Sequence, residues 1–305
     1  MNETCCAYNL AKLTKDLNCL DPDNARYMDY YERVLYNQIV GSIHPSEYKV
    51  TYQYAVGLNA SKPWGNRTPQ ESCCGGTGAE NHVKYQEAAY FVSRNTLWVG
   101  LYLPSEAVWD RRGVTLSQEC EWPAERSVIR VRKCRWPFGS RFSMKLRVPY
   151  WATEGFDIRL NGKSLASEYS PGSYFEIPRR RWSRRDSVEI IMPYVRHIEY
   201  APDPVVIPSA PPVILSAAKD LRAEKDQSPE RLGVLMCGPL VMAAVGIKTW
   251  DEAVLHLSHA AQPAARPAAP TVPFQFTLDG KTFIPDYQAD TCVTHYLRIL
   301  ETVDF

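Results

Sequence analysis

The sequence predicts an α+β chain of about two domains, helical at its start and an antiparallel β-sandwich after it. Three observations carry that reading. Apolar residues recur at helical spacing from Glu3 to Ile43, and beyond Asn95 the period falls to near two. The chain is also long enough, at 305 residues with 45% hydrophobic and 23% charged, to bury a substantial core.

The first helix runs from Glu3 to Leu20, where Ala7, Leu10, Ala11, Leu13, Leu17 and Leu20 trace its inward face, and "DPDN" ends it. A second spans Ala25 to Ile43, with Tyr27, Tyr30, Tyr31, Val34, Leu35, Gln38 and Ile39 on one side. The short turn between them predicts an antiparallel pair. An aromatic loop over 48–72 leads to a third helix at 78–92, with Val83, Ala88, Tyr90 and Phe91 inward.

Seven short runs rich in β-branched and aromatic residues follow: "TLWVGLYLP", "GVTLSQECEW", "SVIRVRKC", "FSMKLRVPYW", "FDIRLNGKSL", "SYFEIP" and "SVEIIMPYV". Seven in about a hundred residues point to the sandwich. In "FDIRLNGKSL", Phe156, Ile158 and Leu160 alternate inward and Asn161-Gly162 supplies a hairpin turn with positive φ. Residues 205–230 read as a disordered insertion of Pro-rich and charged pieces, and residues 258–273 as an Ala/Pro linker. The tail from Phe274 is expected to be a peripheral hairpin or the start of a truncated domain.

Charge excludes little and suggests less. The net charge is +1 with scattered basic residues, so no nucleic-acid footprint stands out. A solvated strand-to-strand turn accounts for the one basic run, "RRRWSRR" at 179–185. No apolar run approaches the ~20 residues of a membrane span. "MNETCC" lacks the basic start and apolar stretch of a signal peptide, so the expectation is a cytoplasmic chain as it stands, with a parent enzyme periplasmic or secreted.

Nine cysteines are too sparse for a disulfide scaffold. Cys19, Cys120, Cys134, Cys237 and Cys292 stand singly and read as small core residues. Cys5-Cys6 and Cys73-Cys74 need another account, because neighbouring cysteines rarely bond to each other. Glu3, Cys5, Cys73 and Cys74 offer one carboxylate and three thiols, a set zinc accepts in tetrahedral geometry. The plain alternative is two buried cysteines near a helix start and two in a glycine-rich turn. Gly75, Gly76 and Gly78 suit a tight backbone path at a close-approach site, and equally a helix-entry loop.

The segments "ETCCAYNLAKLT", "ARYMDYYERVLYNQI", "CCGGTGAENHVKYQEAAYF", "LWVGLYLPSEAVW", "LRVPYW", "LNGK" and "CGPLVMA" together resemble the carboxyl-terminal portion of the β-L-arabinofuranosidases of glycoside hydrolase families 127 and 146. The likeness covers most of residues 2–246. It implies a partial (α/α)₆ barrel, its last helices lying within residues 1–94, followed by a β-sandwich over 95–257 and a truncated β segment over 274–305. In those enzymes the E-x-C motif gives a glutamate and a cysteine to zinc, which implies that role for Glu3 and Cys5. The first cysteine of the double motif is nucleophile and zinc ligand, matching Cys73, and the second is a ligand, matching Cys74. Zinc would hold the sulfur as thiolate, and a thiolate attacks an anomeric carbon to give a thioglycosyl intermediate that water releases with retention.

Cys6 departs from the family pattern and reads as a spectator. His82, which with Glu80 is expected to open the third helix, is a candidate sugar contact. The family's general acid/base is a glutamate upstream of E-x-C, and no residue here matches it. The resemblance therefore implies an incomplete, inactive fragment whose partners are an arabinofuranoside-containing oligosaccharide and either a missing amino-terminal half or a second copy. Two other classes stand beside it: a noncatalytic carbohydrate-binding module using exposed Trp98, Trp109 and Trp122, although alternating Trp in strands is more often core than a sugar platform, and a structural zinc module with closed coordination. "VILSAAKDLRAEKD", within the insertion, resembles translated repetitive bacterial DNA.

Overall fold

The computed structural model describes residues 2–47, 49–65, 72–134, 139–201, 231–257 and 273–301. The expected insertion at 205–230 and nearly all of the linker at 258–273 lie outside them. The chain forms two compact units, one from residues 1–54, 63–195 and 238–240, the other from 55–62, 196–237 and 241–305.

The first unit opens with strand β1 (Asn2–Glu3), helix α1 (Thr4–Leu20) and helix α2 (Ala25–Val34). The second helix continues as a π turn over Leu35–Ile39 and a 3₁₀ turn over Val40–Ser42. Strand β2 (Gln53–Tyr54) pairs with β1, and helix α3 (Cys73–Asn81) completes the helical segment. The helical hairpin is as the periodicity predicts, but its buried face is not. Helix α1 buries Thr4, Ala7, Tyr8, Ala11, Thr14 and Asn18, while Leu10, Leu13, Leu17 and Leu20 stay exposed, Leu20 at 82%. Ala7 and Ala11 pack with Met28, Tyr31 and Leu35 of the hairpin in one core cluster. Small side chains permit that close approach, and the leucines lie on the opposite stripe. The third helix also sits elsewhere than expected. It starts at Cys73 and ends at Asn81, Val83 is 81% exposed, and Tyr90–Val92 is a strand. Among the described residues, the hairpin and this one further helix do not by themselves define a barrel.

Ten strands build the sandwich: β3 (Tyr90–Val92), β4 (Thr96–Val99), β5 (Ser105–Trp109), β6 (Val114–Glu119), β7 (Arg126–Lys133), β8 (Ser140–Val148), β9 (Asp157–Leu160), β10 (Lys163–Ser164), β11 (Ser173–Trp182) and β12 (Ser187–Ile191). One sheet runs β10-β9-β12-β7-β6-β5, the other β11-β8-β4-β3. The core between them holds Leu116, Ile129, Ile158 and Ile190 from the first and Leu97, Phe142, Met144 and Trp182 from the second. The sandwich is not purely antiparallel, because β4 runs parallel to β8 from Thr96↔Ser143 to Val99↔Leu146. The chain between them crosses to the other sheet for β5, β6 and β7, and so returns in the same direction. Asn161 and Gly162 take positive φ, 52° and 83°, in the hairpin turn their types predict.

A buried ion network joins α2 to the sandwich. Arg147 of β8, 0% exposed, donates to Asp29 Oδ1 at 2.5 Å, to the Gly100 carbonyl at 2.7 Å and to Glu32 Oε1. Trp151 Nε1 donates to the other Glu32 oxygen at 2.9 Å.

The second unit holds β13 (Arg196–Tyr200), β14 (Arg231–Cys237), β15 (Leu240–Val245), β16 (Val254–Leu257), β17 (Phe276–Leu278), β18 (Lys281–Pro285), β19 (Val293–Thr294) and β20 (Tyr296–Glu301). These form one eight-stranded sheet in which β14 pairs with β20. The tail from Phe274 thus begins with the β17–β18 hairpin and continues in the same sheet as the "LGVLMC" strand. Register, which a sequence does not print, decides such long-range pairing. Asp286 anchors this unit internally, accepting at 2.8 Å from His295 and lying 3.6 Å from buried Lys62. No helix of the described residues is long and apolar enough to cross a membrane.

Candidate metal and thiol centre

Two helix starts converge on the cysteine motifs. Glu3 precedes α1 in extended backbone (φ −112°, ψ 134°), held there by pairing of Glu3 opposite Gln53. Cys73 and Cys74 open α3, whose preceding Ser72 hydroxyl accepts from the Gly75 N–H at 3.1 Å. Cys5 therefore lies in the first turn of one helix and Cys73 and Cys74 in the first turn of the other. Unpaired amides and helix dipoles at both ends favour negative charge.

One ligand atom from each of Glu3, Cys5, Cys73 and Cys74 falls within 4.8 Å of all the others. Cys5 Sγ is 3.2 Å from Cys73 Sγ and 3.4 Å from Glu3 Oε2, and Cys73 Sγ is 3.6 Å from that same oxygen. Hydrogen bonds from Cys5 and Tyr52 hold the Glu3 carboxyl below its usual range. Burial pushes the Cys5 and Cys74 thiols up. The set fits zinc. Zinc–sulfur bonds of ~2.3 Å place tetrahedral ligands roughly 3.7 Å apart, so the separations of 3.2–3.6 Å would open slightly and any approaching 4.8 Å would close by about 1 Å. One carboxylate and three sulfurs is a borderline-soft donor set that excludes a preference for magnesium or calcium.

The four residues differ in access. Cys74 is 2% exposed, whereas Cys73 faces solvent. Cys6 is exposed and outside the cluster. Helix α1 is tied to α3 and the turn after it by Tyr8 donating to Glu80 at 3.0 Å and by Lys15 pairing with Glu87 at 2.5 Å.

His82 does not open a helix. It follows α3 as its C-cap, some nine residues and roughly 13 Å along the axis from Cys73. Its Nδ1 meets the Tyr85 hydroxyl, and burial lowers its pKa to about 4. That placement is one of packing beside Tyr85. The tryptophans offered as an exposed platform are not exposed: Trp98 and Trp109 are 7% and 8% accessible, and Trp122 packs on Tyr36 at 4.8 Å. Strand alternation turned Trp98 and Trp109 to the core. Of the single cysteines, Cys237 is buried as expected, but Cys19 and Cys292 are exposed.

The glycines after Cys74 also have a different function from the one their run suggested. They lie inside α3, and a side chain at Gly76 would meet nothing within 4 Å. Gly76→Ala is expected to raise stability by ~0.5–1 kcal/mol in urea titration, since alanine restricts the unfolded chain and favours helix. A loss instead would show that this helix start requires glycine. Tyr52, which helps hold Glu3, escaped sequence reading because the loop around it carries no periodic signal.

The chain matches the family model of the β-L-arabinofuranosidase GH127 catalytic domain over residues 1–87 and that of the GH127 middle domain over residues 96–194. It belongs to glycoside hydrolase family 127. Solved structures resemble this GH127 chain across nearly its whole length. A glycoside hydrolase matches with TM-score 0.69 and 19% identity, over 98% of this chain and 52% of that one. A GH127 β-arabinofuranosidase matches with TM-score 0.68 and 20% identity, over 97% and 49%. A GH127 β-L-arabinofuranosidase from Geobacillus stearothermophilus T6 matches with TM-score 0.64 and 19% identity, over 98% and 50%. At such identities the likeness is one of fold, and the chain spans about half the length of these structures. No curated protein matches it.

Proposed function

We propose that this GH127 chain carries the metal-and-nucleophile half of a retaining β-L-arabinofuranosidase site, on what would be the last helices of an (α/α)₆ catalytic barrel. Glu3, Cys5, Cys73 and Cys74 would hold zinc, which when bound keeps the coordinated sulfurs deprotonated at neutral pH. The single observation that carries the reading is the asymmetry of the double motif: Cys74 is buried as a ligand should be, and Cys73 is exposed as a nucleophile must be.

Cys73 attacks the anomeric carbon as the glycosidic oxygen leaves, forming a thioglycosyl bond, and water then displaces the sulfur with net retention. Cys73 stands at the first position of helix α3, where the helix dipole favours negative charge. Proton transfer to the leaving oxygen needs an acid, and Glu3, the carboxylate of the cluster, is occupied as a ligand. A second carboxyl group in that role would supply the ~10²–10⁴-fold that general acid catalysis contributes.

A structural zinc site would leave every thiol unreactive, so the reactivity of Cys73 separates the two readings. The deciding experiment measures zinc by elemental analysis in wild type and Cys73→Ala, with labelling by a haloacetamide-bearing arabinofuranose. One zinc per chain and a label confined to Cys73 are expected. Absence of zinc with indiscriminate labelling, or zinc with Cys73 inert, would overturn the proposal.

A further inference from the structure

The basic run at 179–185 ends in a cleft that no part of the glycosidase chemistry uses. Arg130 and Arg132 of β7 line it from the sheet, and Arg184, Arg185 and Asp186 line it from the turn that joins β11 to β12. Ser187 stands opposite Arg130 in the ladder, which fixes the turn beside the exposed end of β7.

The charges in this cleft are not balanced. Asp186 is 6% exposed and its oxygens are taken by Arg180 at 3.0 Å, Asn161 at 2.9 Å and the Ser183 N–H at 2.7 Å. Arg130 and Arg132 share one acid, Glu119. Arg184 and Arg185 are exposed and have no acidic partner among the described residues. Counting Arg180, which takes Asp186, five guanidinium groups stand against the two carboxylates Asp186 and Glu119 and leave three positive charges here, in a chain whose whole net charge is +1. A turn needs no such excess to be solvated, and like charges crowded at one site cost free energy unless an anion answers them.

We propose that this cleft binds the carboxylate groups of an acidic polysaccharide, with Arg184 and Arg185 as its principal contacts. Guanidinium forks match planar carboxylates in paired hydrogen bonds. No aromatic side chain lines the cleft, so stacking of nucleobases has no platform. The choice of a polysaccharide rests on the glycosidase reading above; the cationic cleft does not.

The test is affinity electrophoresis of the full chain through gels carrying polygalacturonate, neutral arabinan or double-stranded DNA, with wild type beside an Arg184→Glu/Arg185→Glu variant. Both positions are exposed turn residues, so zinc content and thermal midpoint should not change. Wild type is expected to be retarded by polygalacturonate and not by arabinan, with binding weakened at least about tenfold in the variant and lost at high salt. Equal retardation of the two proteins, no retardation by polygalacturonate, or tighter binding to DNA than to polygalacturonate would overturn the assignment. Charge-dependent binding that survives loss of zinc would separate this cleft's fate from that of the thiol centre.

Discussion

Replacing Cys74 with serine is expected to lower zinc affinity at least ~100-fold, more than loss of an outer partner of a ligand costs. Cys74 is 2% exposed at the start of a helix, so no neighbouring thiol can swing into its place without unwinding the first turn of α3. A hydroxyl is a harder and less acidic donor than a thiol, and zinc discriminates between them. Because the candidate ligands come from two separate helix starts, a bound metal would also tie α1 to α3. Its removal by chelation should therefore lower the thermal midpoint of wild type but not of Cys74→Ser. Cys6→Ser is the control, since that side chain lies outside the cluster. Competition titration with a zinc chromophore reads all three proteins. If Cys6→Ser lost zinc as completely as Cys74→Ser, the ligand set would be wrong.

Arg147→Met is expected to cost ~3–5 kcal/mol, the penalty for leaving buried carboxylates without their counter-ion. With total stabilities of ~5–15 kcal/mol, that is a large share of the fold. Arg147 meets both Asp29 and Glu32 at 0% exposure, and no water reaches the guanidinium to replace it. Burial raises the Asp29 pKa even with Arg147 present. A carboxyl whose folded pKa is raised contributes stability below its unfolded pKa, about 3.9, and loses it as pH rises through the folded value. The deficit of Arg147→Met should accordingly shrink on acidification toward pH 4. Adding Asp29→Leu and Glu32→Met should recover most of the loss, because an apolar replacement of the whole network removes the desolvation cost as well. Urea titrations across pH check both statements. A cost under about 1 kcal/mol at pH 7 would mean that the helix–sandwich junction does not depend on this network.

Several elements were legible in the chain because their cause is local. The Asn161-Gly162 turn follows from residues that tolerate positive φ, and the strands from β-branched and aromatic runs whose inward members fill the sandwich core. The start of α1 was legible too. Helix α3 was not, because three glycines near its start read as loop, and glycine's weak helix propensity is overruled there by Ser72 capping and packing against α1. The leucine stripe of α1 misled for a related reason. Periodicity shows that a face is apolar but not which face meets the neighbour, and Ala7 and Ala11 won because they let the helices approach.

The sequence by itself determined the kinds of residue available at the centre: one carboxylate, three thiols and the motifs that relate the chain to its family. It also determined the change from helix to sandwich, since side-chain period is written residue by residue. Only the tertiary structure decided that the two motifs, some seventy residues apart, meet within 4.8 Å, that Cys73 is open while Cys74 is closed, and that His82 stands at the far end of the helix. Those facts depend on how α1 packs on α3 and on the pairing of β1 with β2. Packing and pairing are set by contacts between distant segments, whose free energies no local pattern contains.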